Sequence, residues 1–166
     1  LLSLDVSNFD TSNVTDISSF FGDCSSLKSL DVSRFDTSKV TNMVAVFSGC
    51  SSLTSLDVSK FDTSKTTSMA DMFYNCSSLT SIALPEGITS LYGFTFSGFT
   101  NLESISLPDS LTSIGSYEFS NCFRLSELIL PEGLTSIGSY EFNNCYRLSE
   151  LILPEGLTSI GDQAFH

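Results

Sequence analysis

A solenoid of stacked coils, each a short parallel β-strand followed by a turn or a short helix, is the fold class this sequence predicts. Three observations predict it. Leu4, Leu30, Leu56 and Ile82 recur every 26 residues, and through Ile105, Leu128 and Leu151 the period becomes 23. The apolar slots of both periods stay in register across that change. Each unit opens on an L-x-V or L-x-L segment, the alternation of a strand with one buried face. One such unit cannot bury its apolar face alone, but stacked neighbours bury each other's.

The elements follow in order around each coil. In the 26-residue units, L-D-V-S is the strand and D-T-S a turn, with Asp10 capping Thr11 and Ser12. Thr15 or Thr41 is then placed to cap a short helix running through Phe21 or Phe47 to Gly22 or Gly49. In the 23-residue units, Pro131-Glu132-Gly133 and Pro154-Glu155-Gly156 turn the chain out of the strand. The three-residue difference is expected on the convex side, as a longer helical turn. Stacking makes columns: Phe21, Phe47, Phe73, Phe96, Phe119, Phe142 and Phe165, then Leu27, Leu53, Leu79, Leu102, Leu125 and Leu148. Val6, Val32, Val58, Leu84, Leu107, Leu130 and Leu153 form a third. These columns run unbroken through the junction near Ile82. Residues 1–166 are therefore expected to form one solenoid domain, with three 26-residue repeats in 1–81 and three 23-residue repeats plus a partial fourth in 82–166. Seven strands at about 4.8 Å spacing predict a rod on the order of 30 Å long. The chain starts and stops inside a repeat, so it reads as part of a longer protein with uncapped ends open to self-association.

Composition removes some function classes. Nineteen Asp and Glu face seven Lys and Arg, a formal net charge of −12. A nucleic-acid groove needs clustered cations to displace phosphate counterions, whereas Lys28, Lys39, Lys60, Lys65, Arg34, Arg124 and Arg147 are few and scattered. No apolar run approaches the roughly 18 residues of a membrane span. His166 is the single histidine, so no Ser-His or Cys-His pair is available within the chain. There is no phosphate loop and no H-E-x-x-H. No enzyme activity, no metal and no cofactor is expected.

The repeating motifs carry a family resemblance over essentially the whole chain. The L-D-V-S-x-F-D-T-S units resemble repeats common in bacterial surface lipoproteins. The L-P-E-G-L-T-S-I-G units are similar to BspA-type leucine-rich repeats. The resemblance implies a right-handed leucine-rich-repeat solenoid, secreted or on a cell surface. It also implies adhesion to a host or neighbouring-cell surface protein or glycan, with no catalytic residues. One departure stands out. The A-F of the second type occurs only at Ala164-Phe165, while Glu118, Glu141 and Thr95 precede the other core phenylalanines. A carboxylate there must turn to solvent or find a partner, loosening the convex side.

Cys24, Cys50, Cys76, Cys122 and Cys145 follow the repeat period, with Phe99 where a sixth would fall. Core thiols, disulfides between rungs and metal ligation are the readings open; core filler fits best, because no C-x-x-C pair exists. Three ladders are candidate binding sites. Asp5, Asp31 and Asp57 point out from the strands, and Asp10, Asp36 and Asp62 follow in the next turn; Asx turns, ligand contact and calcium are the alternatives. Glu127, Ile129, Glu150 and Ile152 place outward isoleucines between acids on the last strands. Phe94, Tyr117 and Tyr140 form an aromatic column. A surface binding module is the leading expectation. The alternatives are a structural spacer or end-to-end rod, and ice or mineral binding by Thr11, Thr37 and Thr63.

Overall fold

The computed structural model describes residues 2–166. Two series of short parallel ladders and single bridges join neighbouring coils. On the first, β2 (Ser104–Ser106) pairs with β4 (Glu127–Ile129), bringing Ser104 opposite Glu127 and Ser106 opposite Ile129. Single bridges extend that ladder back through Ala83 to Asp57, and Ser3 bridges Ser29. This is the predicted L-x-L strand face. The second ladder joins β1 (Ser90–Leu91), β3 (Ser113–Ile114), β5 (Ser136–Ile137) and β6 (Ser159–Ile160), in that order. Its counterpart in the 26-residue coils is the bridge series Asp16, Asn42, Ser68. The T-S-I segment that forms it was not read as a strand from the sequence.

No helix forms among the described residues; the turn alternative is the one adopted. Along the arc through each core phenylalanine, every second N–H donates to the next coil instead of to its own. Ile17, Ser19, Phe21 and Asp23 donate to the carbonyls of Asn42, Val44, Val46 and Ser48. Tyr117, Phe119 and Asn121 repeat the pattern toward Ser139, Glu141 and Asn143. Left-handed residues make this possible: φ is 54° at Ser19, 57° at Asp23, 67° at Tyr117 and 64° at Asn121. An α-helix would need right-handed φ throughout. The expected cap-and-helix at Thr15 and Thr41 is therefore replaced by turns whose backbone is satisfied across coils.

The surplus three residues also sit elsewhere than expected. In the 26-residue coil two turns follow the strand, closed by Phe61 N–H to Val58 carbonyl and Thr66 N–H to Thr63 carbonyl. In the 23-residue coil one turn does the same work, closed by Leu134 N–H to Pro131 carbonyl. The extra turn is D-T-S, and its threonine is a staple. Thr11 Oγ1 accepts the N–H of Asp36 at 2.8 Å, and Thr37 Oγ1 accepts that of Asp62 at 2.7 Å. At the junction the next coil has no such turn, and the buried Thr63 Oγ1 has no partner. Thr37→Val is expected to cost about 1–3 kcal/mol by leaving the Asp62 N–H unsatisfied, whereas Thr63→Val is expected to be neutral or slightly stabilising. Urea melts of the two variants compare them directly.

The predicted columns are the core. Phe21, Phe47, Phe73, Phe96, Phe119 and Phe142 are buried and stacked with centroids 5.2 to 5.9 Å apart. Phe165 continues the stack at 5.5 Å but lies half-open at the last described coil. All five cysteines are free, and all but Cys24 are buried. Cys50, Cys76, Cys122 and Cys145 donate S–H to the carbonyls of Phe21, Phe47, Phe96 and Phe119 at 3.1 to 3.4 Å. Burial pushes the Cys50 thiol up to about 11, so it stays protonated and unreactive at neutral pH.

Candidate binding face

Successive rungs of the strand face carry different side chains in the same outward slot. That slot holds Asp57, then Ala83, Ser106 and Ile129, with Ile152 one repeat further. The neighbouring slot holds Ser104, then Glu127, with Glu150 one repeat on. The face therefore changes from acidic and hydroxylated to apolar flanked by acid along the stack. Ile129 is 82% exposed and Ile152 78%, while Leu128 and Leu130 on either side of Ile129 are buried. A hollow of about 670 Å³ lies over these rungs, lined by Ser104, Ser106, Glu127, Ile129, Glu150 and Ile152 among others. Glu132 adds a third carboxylate from the turn that follows the strand. Strand pairing explains the exposure: with period two, packing Leu128 and Leu130 inward forces Ile129 outward.

The acidic ladder at the other end is occupied with local structure. Asp5, Asp31 and Asp57 each accept the N–H of the residue two further on, Ser7, Ser33 and Ser59, at 2.9 Å. Asp10, Asp36 and Asp62 do the same with Ser12, Ser38 and Ser64 at 2.9 to 3.0 Å. These are Asx turns, the alternative that the D-T-S spacing favoured. Hydrogen bonds from the serines hold all six carboxyls below their ordinary value, with Arg34 and Lys60 helping at Asp31.

Tyr117 and Tyr140 lie on the arc and not on the strand face. Their rings stack at 5.0 Å and 3°, and Phe94 stacks on Tyr117 at 5.4 Å. Tyr117 is thereby covered on both faces, by Phe94 and by Tyr140. The structure thus brings Glu127, Ile129, Glu150 and Ile152 together, places Asp5, Asp31 and Asp57 at the opposite end of the same face, and separates the tyrosines from both. A second aromatic pair went unread in the sequence. Phe123 and Tyr146 stack at 5.7 Å, and Tyr146 is largely exposed. Their signal was the aromatic directly after the core cysteine in C-F-R-L and C-Y-R-L.

Parallel ladders around one apolar column core, with a leucine or isoleucine inward in nearly every strand, define a leucine-rich-repeat solenoid. The BspA type Leucine rich repeat region matches residues 66–166 in 6 copies, and the Mycoplasma protein of unknown function, DUF285, matches residues 2–84. The chain belongs to the BspA-type leucine-rich-repeat family. It is similar to the T. pallidum leucine-rich-repeat protein TpLRR, at 34% identity and a TM-score of 0.57, over 58% of this chain and 45% of that one. A leucine-rich-repeat protein from Bacteroides ovatus shares the fold at 23% identity and a TM-score of 0.55, over 97% of this chain and 49% of that one. So does a leucine-rich cell surface protein from Faecalibacterium prausnitzii, at 23% identity and a TM-score of 0.52, over 92% of this chain and 55% of that one. The chain thus spans about half the length of these solved relatives. No curated protein matches it.

Proposed function

We propose that the chain is a non-catalytic binding module of a secreted or cell-surface protein, which takes a protein or glycan ligand on its C-terminal strand face. The observation that carries this reading is the pair of exposed isoleucines on adjacent rungs, set among Glu127, Glu132 and Glu150. Aliphatic side chains in the open gain about 1.5–3 kcal/mol each when a partner covers them. The acids around them favour a ligand with cationic groups beside an apolar surface. The family supports a surface location, as does the description of the F. prausnitzii protein.

A binding screen against matrix proteins and glycans, run with wild type and with the Ile129→Asp plus Ile152→Asp double variant, tests it. The double variant is expected to bind at least about tenfold more weakly. Equal binding by both would remove the strand face from the reading.

A further inference from the structure

Glu118 and Glu141 hold the same slot on adjacent coils, one residue before the core phenylalanine, and neither turns to solvent: both are fully buried. Each finds half a partner. Oε2 of Glu118 accepts the N–H of Thr95 at 2.8 Å, and Oε2 of Glu141 accepts the N–H of Glu118 at 3.1 Å. Oε1 of each is buried with no hydrogen-bond partner. Adjacent rungs lie about 5 Å apart, so two ionised carboxylates here would repel in a medium that also withholds solvation. Nothing facing them is cationic. Asp71 faces Glu118, the thiols of Cys122 and Cys145 face Glu141, and the slots before and after hold Thr95 and Ala164. Among the described residues the one ion pair is Arg124 with Glu103, which involves neither glutamate.

We propose that Glu118 and Glu141 form a buried proton-holding pair that keeps the C-terminal coils tight in acidic conditions and loosens them as pH rises through neutrality. An orphan Oε1 on each glutamate provides a place for the proton, and the amide bonds to Oε2 keep both carboxyls pointed inward. Loss of solvation pushes Glu118 up to about 7, against the lowering effect of the Thr95 amide and with a smaller push from Asp71. Glu141 is also raised well above its ordinary value, by lost solvation first and then by the charge of Glu118.

The sign follows from linkage. A glutamate raised above its ordinary 4.5 keeps a proton in the folded chain that the unfolded chain has released. Its stabilising effect is complete below about pH 4.5 and is lost as pH climbs through 7 and above. The Asx-turn aspartates act oppositely, because their pKa values are lowered from 3.8; what they contribute is lost only on acidification below that value. The two halves of the rod thus have opposed pH responses in separate ranges. Glu127 and Ile129 ride on the coils that the pair holds, yet the proton site stands whether or not that face binds a ligand.

Thermal melts between about pH 5 and about pH 9 on wild type, Glu118→Gln, Glu141→Gln and the double variant test the proposal, together with a carbon-13 titration of the wild-type glutamate carboxyls. The wild-type folding constant of these coils is expected to fall by up to about a hundredfold per pH unit while both glutamates hold protons that the unfolded chain has released, to level off once the pair is ionised, and the double variant to be flat over the same range. Two glutamate carboxyls are expected to titrate well above the ordinary glutamate value. Parallel melting profiles for wild type and double variant, or all glutamates titrating together near their ordinary value, would overturn the proposal. Should a glutamine variant fail to fold, the wild-type carboxyl titration decides alone.

Discussion

Phe96→Ala is expected to cost about 3–5 kcal/mol and to split one unfolding transition into two. Phe96 is fully buried, stacked on Phe73 at 5.8 Å and on Phe119 at 5.2 Å, with Phe99 edge-on at 5.7 Å. It sits in the first coil after the change of period, so its stack on Phe73 is the buried aromatic contact that couples the two repeat types, with Tyr74 and Phe94 meeting edge-on at 6.4 Å outside it. Contacts in a solenoid run between neighbouring coils, and the loss of one rung weakens the link across it more than it weakens the rest. A domain held by about 5–15 kcal/mol in total has little margin for such a loss. Calorimetry should show a low transition from one half and a high one from the other, where a single transition is expected of wild type. Phe165→Ala, at the half-open last described coil, should lower the midpoint only slightly. A single transition in Phe96→Ala would mean that the other columns carry the coupling.

Gly138→Ala is expected to be comparably damaging, at about 3 kcal/mol, although it adds one methyl group. A Cβ on Gly138 would overlap the carbonyl group of Gly115 and come within 2.6 Å of the Ser116 nitrogen. Those atoms are backbone, held by the ladder of β1, β3, β5 and β6, and they cannot turn aside. Gly115 faces Leu91 in the same way, and Gly161 faces Gly138 and Ser139. Gly133→Ala is the control. There the Cβ would meet only the Asp109 and Leu111 carbonyl oxygens, at 3.6 and 3.8 Å, and the substitution is expected to be neutral or to stabilise by a few tenths of a kcal/mol. Denaturant midpoints for the two alanine variants check both expectations, and equal midpoints would sink the close-packing account of Gly138.

The glycines show where sequence reading stopped. L-T-S-I-G is visible as a repeat, but that its glycine lets two coils touch backbone to backbone depends on a partner 23 residues away. The same holds for T-S-I itself. A two-residue strand has no periodicity to read, and it becomes a ladder only when stacked four deep. A short helix along the arc is compatible with the sequence because Thr15 and Thr41 have the right chemistry for a cap. What decides against it is the left-handed slot held in turn by Ser19, Ala45, Asp71, Phe94, Tyr117, Tyr140 and Gln163. Nothing in those side chains favours positive φ apart from the aspartate; the hydrogen bonds between coils impose it. Of the candidate site, the outward isoleucines were legible because strand alternation assigns each residue to a face. Tyr117 and Tyr140 were legible as a column but not as a face-to-face stack, since ring orientation is a matter of packing.

By itself the sequence determined the solenoid, its two periods, the phenylalanine, leucine and cysteine columns and the outward rows of acid and isoleucine. Each of these is a consequence of burial repeated at a fixed spacing, and spacing is written in the chain. Only the tertiary structure decided that each coil carries a second ladder, that the arcs are turns, and that the extra three residues form the D-T-S staple. It also decided that Glu118 and Glu141 point inward. Those outcomes depend on which amide of one coil meets which oxygen of the next, and that pairing exists only once the coils are stacked.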